Sequence, residues 1–101
     1  MSGDAEGCRL EDGQVFTPKG YPEAYAQYVQ GGWQGLSHPA EYGGQGLPMS
    51  LGLLKSEMMG TANWPFLMYP GLSMGCMNTL MQYGTPAQLS TYMPPLTEGR
   101  W

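Results

Sequence analysis

Charge is what this sequence has least of. Asp, Glu, Lys and Arg supply 12% of its 101 residues, about half of the roughly 25% usual in soluble domains. The formal net charge is −4, with one histidine. Four basic residues cannot form the stripe of Lys and Arg that neutralises a phosphate backbone, which excludes nucleic acid as a partner. Cysteine is scarce too: Cys8 and Cys76 lie far apart and form no CxxC pattern, so two free thiols are expected and nothing in the spacing supports a disulfide. Long apolar runs are missing, because Pro65, Pro70, Gly71, Gly75, Asn78, Gln82 and Gly84 interrupt the apolar part before it nears the roughly 20 residues of a membrane span. The first residues have neither a basic n-region nor an apolar h-region, so no secretory signal is read and the cytoplasm is the expected location.

The few charges are unevenly placed. Eight of the 12 fall in the first 41 residues, Lys55 and Glu57 follow, and Glu98 and Arg100 are the last. From Met58 to Thr97, 40 residues contain no Asp, Glu, Lys, Arg or His. Soluble helices carry charge on their water-facing sides, so this surface is expected to be covered by something outside the sequence. Scarce charge does not mean disorder here, since 42% of the residues are apolar or aromatic, an ordinary level. The length suits one small core that buries roughly two-thirds of the unfolded surface.

Residues 1–20 read as a non-helical segment in which Cys8-Arg9-Leu10 and Gln14-Val15-Phe16 flank Asp12-Gly13, a dipeptide suited to a tight hairpin turn. A first helix should open at Pro22, with Glu23 favourable to its dipole, and stop at Gly31-Gly32. Tyr21, Tyr25, Tyr28 and Val29 share one face of it and read as core and interface rather than catalytic residues. Gly and Pro make residues 33–48 an ordered loop. Leu47, Leu51, Leu54 and Met58 mark the inward face of a second helix that opens at Pro48 and ends near Gly60. Asn63-Trp64-Pro65 starts a third segment, which Pro70 should break or restart. Beyond Pro70, the rows Leu72-Cys76-Leu80 and Met74-Met77-Met81 describe a helix apolar nearly all round and therefore buried. Thr85-Pro86-Ala87-Gln88 has the form of a capping box, and the helix it opens should halt at Pro94-Pro95. The expected fold is all-α: a small bundle of about four helices over residues 21–101, with Gly/Pro-rich loops and the non-helical segment over 1–20.

This order of elements carries joined motifs: Pro39-x-Glu41-Tyr42-Gly43-Gly44-x-Gly46, a helix with Glu57, a buried helix, Tyr83-Gly84-Thr85-x-x-Gln88 with Tyr92, and the closing Leu96-Thr97-Glu98-Gly99-Arg100-Trp101. Together they resemble the N-terminal α-domain of the acyl-CoA dehydrogenase family over roughly residues 9–101. The stretch from Trp64 to Leu72 is similar to the branch that includes methylthiopropanoyl-CoA dehydrogenases. The resemblance implies a fragment, truncated before the β-domain, of an FAD-dependent enzyme that oxidises acyl-CoA thioesters to trans-2-enoyl-CoA. It also implies that the catalytic glutamate and the main flavin contacts lie in the missing β and C-terminal domains. No catalytic or cofactor-binding residue carries over, and the chain alone is expected to be inactive and to bind no FAD.

The resemblance further implies that the buried helix lines part of the substrate channel, so Phe66, Met68, Tyr69 and Leu72 are candidates for a wall of the acyl pocket; filling a core or domain interface is the competing role. Glu57 reads as a structural partner, and His38 as the maker of a loop hydrogen bond, because no nucleophile or ligand set accompanies it. The glycine loop lacks the lysine of a phosphate cradle and reads as structural. Met74, Cys76 and Met77 on one helix offer poor geometry for a soft metal. Two classes of function remain open: a piece of an enzyme, or an independent helical module that self-associates or binds an acyl ligand. Both predict an exposed apolar face and hence a dimer or larger oligomer.

Overall fold

A computed structural model describes residues 2–101; residue 1 of the N-terminal segment lies outside the described residues. Asp12 and Gly13 both take positive φ, 50° and 76°, the pair of left-handed conformations a two-residue hairpin turn requires. They join β1 (Arg9–Glu11) to β2 (Gln14–Phe16), antiparallel with Arg9 opposite Phe16 and Leu10 opposite Val15. A lone hairpin is marginal, and this one is held by its ends. The Arg9 guanidinium lies 5.3 Å from the centre of the Phe16 ring and 2.8 Å from the Glu11 carboxylate, while the Glu6 carboxylate accepts the Lys19 backbone N–H at 3.1 Å.

The chain is therefore mostly helical with a small antiparallel sheet, not strictly all-α. The N-terminal segment is not free of helix either, because α1 (Ser2–Glu6) forms one turn there. Its cause is tertiary. Gly3 is buried against Tyr21, whose hydroxyl oxygen would stand 2.5 Å from any Cβ at that position, and Gly7 ends the turn at φ 66°.

The second helix, α2 (Tyr21–Gln30), carries Pro at its first positions and ends where the Gly31 N–H caps the Gln27 carbonyl. Tyr21 and Tyr28 are buried and Tyr25 is half-buried, as the helical spacing predicts. Tyr21 packs edge-on against Phe66 and Tyr69, with centroids 5.5 and 5.6 Å apart, contacts worth about 0.5–1.5 kcal/mol each beyond their buried area.

The longest element, α3 (Met49–Tyr83), is two helices joined at a kink: Asn63 has φ −159° and ψ 91°. The Asn63 carboxamide oxygen accepts the Phe66 N–H at 3.2 Å and the Tyr21 hydroxyl at 3.0 Å, so it caps the second half as the Asn63-Trp64-Pro65 signal predicts. Pro70 does not break the helix, contrary to the sequence expectation. A mid-helix proline costs about 3 kcal/mol, and here the ring is among the fully buried side chains, so packing offsets the lost hydrogen bond.

Two further expectations are overturned along α3. Leu51, Leu54 and Met58 face outward and Leu47 just before them is also exposed, while Gly52 and Lys55 are buried. The small residues decide this: a Cβ on Gly52 would meet the Ser37 hydroxyl at 2.8 Å, so the helix approaches the loop by its glycine side. The second half is not buried all round. Met77 and Pro70 are buried there, whereas Leu72 and Cys76 are exposed.

In α4 (Pro86–Thr97), Thr85 and Gln88 form the expected capping box. The helix runs through Pro94 and Pro95 instead of halting, since Met93, Pro95, Leu96 and Thr97 are buried. It ends in a Schellman motif: Gly99 at φ 75° donates to the Leu96 carbonyl at 3.2 Å, and Arg100 donates to Pro95 at 2.9 Å. The core lies between α4 and the second half of α3, where Met77 and Met93 are fully buried and Tyr42, Met74, Leu80 and Leu89 surround them. Among the described residues no helix is long and apolar enough to cross a membrane.

Candidate functional site

The second half of α3 divides the four candidate pocket residues between two faces. Phe66 and Tyr69 turn toward α2 and line a cleft of about 330 Å³ with Tyr21, Tyr25, Ser73 and Trp101. Met68 and Leu72 point the other way and are 53% and 78% exposed. Three residues of helix are close to one turn and four slightly more, so 66, 69 and 73 align, as do 68, 71, 72 and 75. The expected single wall is thus not one surface.

Each face has its own chemistry. In the aromatic cleft the polar tips are already paired: the Tyr25 hydroxyl donates to the Gly99 carbonyl at 3.0 Å, and that of Ser73 to the Trp101 carbonyl at 3.3 Å. The Tyr69 hydroxyl lies 2.9 Å from the Cys8 sulfur, and this hydrogen bond is the main cause that pushes its pKa up to about 12. What remains open there is ring surface. On the opposite face, Gly71 and Gly75 have nothing within 4 Å of where a Cβ would be. Met68 and Leu72 stand beside them as an exposed apolar strip of the helix, within the stretch from Met58 to Thr97 that carries no charged residue.

Lys55 is the buried side chain that periodicity missed. It is 7% exposed, and its ammonium donates to the Tyr28 hydroxyl at 3.1 Å and the Trp33 carbonyl at 3.1 Å, with the Met74 sulfur at 3.8 Å. Burial lowers its pKa. Burial and then the neighbouring Tyr25 raise that of Tyr28, whose hydroxyl donates to Gln34 at 2.8 Å. Gly52 and Ser56 beside it are the sequence signal for this inner face, since small residues mark close approach.

His38 makes the loop hydrogen bond expected of it, with Nε2 3.3 Å from the Asn78 carboxamide oxygen. It is 5% exposed and its Nδ1 has no partner. Burial, with the Lys55 charge adding to it, lowers its pKa against the opposing Asn78 bond. Glu57 is exposed and makes no hydrogen bond or ion pair among the described residues, so no structural partner for it lies within them.

The glycine loop satisfies itself. Around the 3-10 turn Ala40–Tyr42, the N–H groups of Gly43, Gly44 and Gly46 donate to the carbonyls of Ala40, Pro39 and His38. Those N–H groups are thus taken by the chain's own carbonyls rather than turned toward a phosphate. Met77 sulfur accepts from the Thr97 hydroxyl at 3.5 Å in the core, while Cys76 on the same helix is exposed and free. The two sulfurs do not converge on one point. Among the described residues no three His, Cys, Asp or Glu side chains gather as a metal site.

Residues 10–100 match the acyl-CoA dehydrogenase N-terminal domain. The chain is 46% identical over 99 residues to the 3-methylmercaptopropionyl-CoA dehydrogenase of Ruegeria pomeroyi, covering 98% of this chain and 17% of that protein. It is 38% identical over 66 residues to the mitochondrial isovaleryl-CoA dehydrogenase of Oryza sativa subsp. japonica, covering 64% of this chain and 16% of that protein. The chain therefore spans about a sixth of the length of these curated relatives.

Proposed function

The chain belongs to the acyl-CoA dehydrogenase family, and from that premise we propose that it supplies one wall of the acyl-binding region in an enzyme that converts acyl-CoA thioesters to trans-2-enoyl-CoA. Residues 21–101 would be part of the N-terminal helical domain, docked against the β and C-terminal domains. The observation that carries this reading is the exposed strip of Met68, Gly71, Leu72 and Gly75, apolar and uncharged, with open space at both glycines. An acyl chain laid along it would lose water from both surfaces at about 25 cal/mol per Å², and the two glycines let it lie close to the helix backbone. Phe66 and Tyr69 would act behind this wall, fixing α3 to α2 through Tyr21.

The FAD that such an enzyme requires would accept the substrate hydride. The N–H groups of the glycine loop are taken by the chain's own carbonyls, no residue of this chain is assigned to hold the FAD, and no step of the chemistry is assigned to this chain. Its contribution is the shape of the wall and the exclusion of water. A second reading has an observation of its own in the outward leucine ridge of α3: the chain alone is a self-associating module that keeps the exposed strip for a hydrophobic ligand.

Calorimetric titration of the purified chain with free CoA and with short and long acyl-CoA thioesters tests the wall. Saturable heat that grows with acyl length, weakened about tenfold by Leu72→Asp, is the expected result. Absence of heat with every thioester would sink the proposal.

A further inference from the structure

Lys55 is a buried cation without a counter-charge among the described residues. The described ion pairs are those of Arg9 with Glu6 and Glu11 and of Arg100 with Glu98; Lys55 is in none of them, although it is 7% exposed. Its acceptors are a phenol, a peptide carbonyl and a thioether, all neutral. Moving an ammonium out of water is costly unless a charge and full hydrogen bonding replace the water. The Met74 sulfur, at 3.8 Å, is a weak third acceptor.

Beside Lys55 lies a cleft of about 460 Å³ between α2 and the first half of α3. Tyr28, Trp33, Met58, Met59 and Phe66 line it with Lys55, and Gln27 adds a side-chain amide. It is thus an apolar slot with one cation, the complement of a molecule with a single negative head and a hydrocarbon tail. Of the four acyl-wall candidates Phe66 alone lines it, and Met68 and Leu72 do not, so it is separate from the exposed strip and does not rest on that reading.

We propose that the cleft between α2 and α3 binds a medium-chain monocarboxylate, the Lys55 ammonium meeting the carboxylate and Trp33, Met58, Met59 and Phe66 enclosing the chain. A carboxylate oxygen replaces the Met74 sulfur as the third acceptor and gives the ammonium a charged partner. The methionines adapt to tails of different length, so the site selects for the head more strongly than for the tail. Tyr28 on α2 and His38 in the loop are the titratable groups that meet Lys55; Tyr25 stacks on Tyr28, and Glu57, two residues along the helix, forms no ion pair with it. Tyr28 contacts the ammonium at 3.1 Å, and the Lys55 charge acts on His38.

The test uses the purified chain, with octanoate and 1-octanol as probes and the methyl resonances of Met58 and Met59 as the readout. Octanoate is expected to bind at least about tenfold more tightly than octanol, and Lys55→Met, which keeps an unbranched apolar side chain of similar length, to abolish that preference. Should Lys55→Met not fold, the wild-type chain still decides. Its octanoate affinity falls as pH rises through the lowered Lys55 pKa, where the ammonium loses its proton, while its octanol affinity does not change. Leu72→Asp leaves octanoate binding intact, which separates this site from the acyl wall. Equal affinity for the two probes, an unchanged preference in folded Lys55→Met, or an octanoate affinity independent of pH up to about 10.5 overturns the proposal.

Discussion

At the scale of single residues, the polar side chains that matter most are the buried ones, Lys55 and His38. His38 is held as a neutral imidazole because its ring is buried and Lys55 adds a like charge to any proton it takes up. Its folded pKa lies below the ordinary 6.5, so between the two values the unfolded chain carries the proton and the fold does not. Stability is then full above about 6.5 and declines as pH falls through that value toward the folded pKa. Urea titrations at a series of pH values between about 7.5 and 5 should show the decline. His38→Gln, which keeps an amide able to reach Asn78, should flatten it; an unchanged slope in that variant would remove His38 as the cause. A hydrogen-bonded loop histidine could be read from His38-Pro39 alone. That Lys55 turns inward could not, because a lone lysine among leucines reads as the solvent side of a helix.

At the scale of elements, glycines set the geometry in two places where a side chain would have nowhere to go. In the loop, a Cβ on Gly44 would overlap the His38 carbonyl oxygen and stand 2.9 Å from that of Gly35. Both are backbone atoms fixed by the hydrogen bonds of the loop. Gly44→Ala should therefore cost about 2–3 kcal/mol by equilibrium denaturation. At the end of α4, Gly99 needs φ 75° and packs where a Cβ would meet Val29 at 2.5 Å. Gly99→Ala should cost about 1–2 kcal/mol from the left-handed backbone alone. Losses within about 0.5 kcal/mol of zero, the range of ordinary surface changes, would contradict both. These positions explain why the Tyr42-Gly43-Gly44-x-Gly46 and Leu96-x-x-Gly99-x-Trp101 motifs are legible as strings: each marks a backbone conformation or close approach that only glycine allows.

At the scale of the whole molecule, apolar side chains are exposed along both halves of α3. Leu51, Leu53, Leu54 and Met58 are exposed on the first half of α3, and Met68 and Leu72 on the second. Burying even two leucines contributes about 1.5–3 kcal/mol each. We expect the isolated chain to form dimers or larger oligomers, with the double variant Leu51→Glu, Leu54→Lys shifting dissociation toward monomer by at least about tenfold. Sedimentation equilibrium measures both, and a monodisperse monomer at high concentration in the unaltered chain would refute the expectation.

The sequence by itself determined whatever depends on near neighbours in the chain. The Asp12-Gly13 turn, the Thr85–Gln88 capping box, the Asn63 start of the second half of α3 and the family motifs are local arrangements of backbone and side chain, and each is found where its residues stand. Tertiary structure alone decided which side of a helix faces inward and which prolines interrupt. Helical spacing identifies Leu47, Leu51, Leu54 and Met58 as one face but carries no information about what lies opposite. Gly52, by admitting the Ser37 loop, turned that face to solvent and drew Lys55 inside. Likewise Pro70, Pro94 and Pro95 carry the same local penalty as any proline, and the helices run on because the packing around Pro70, Met93 and Pro95 outweighs it. Burial against a distant part of the chain is a property of the assembled fold, and no window of sequence contains it.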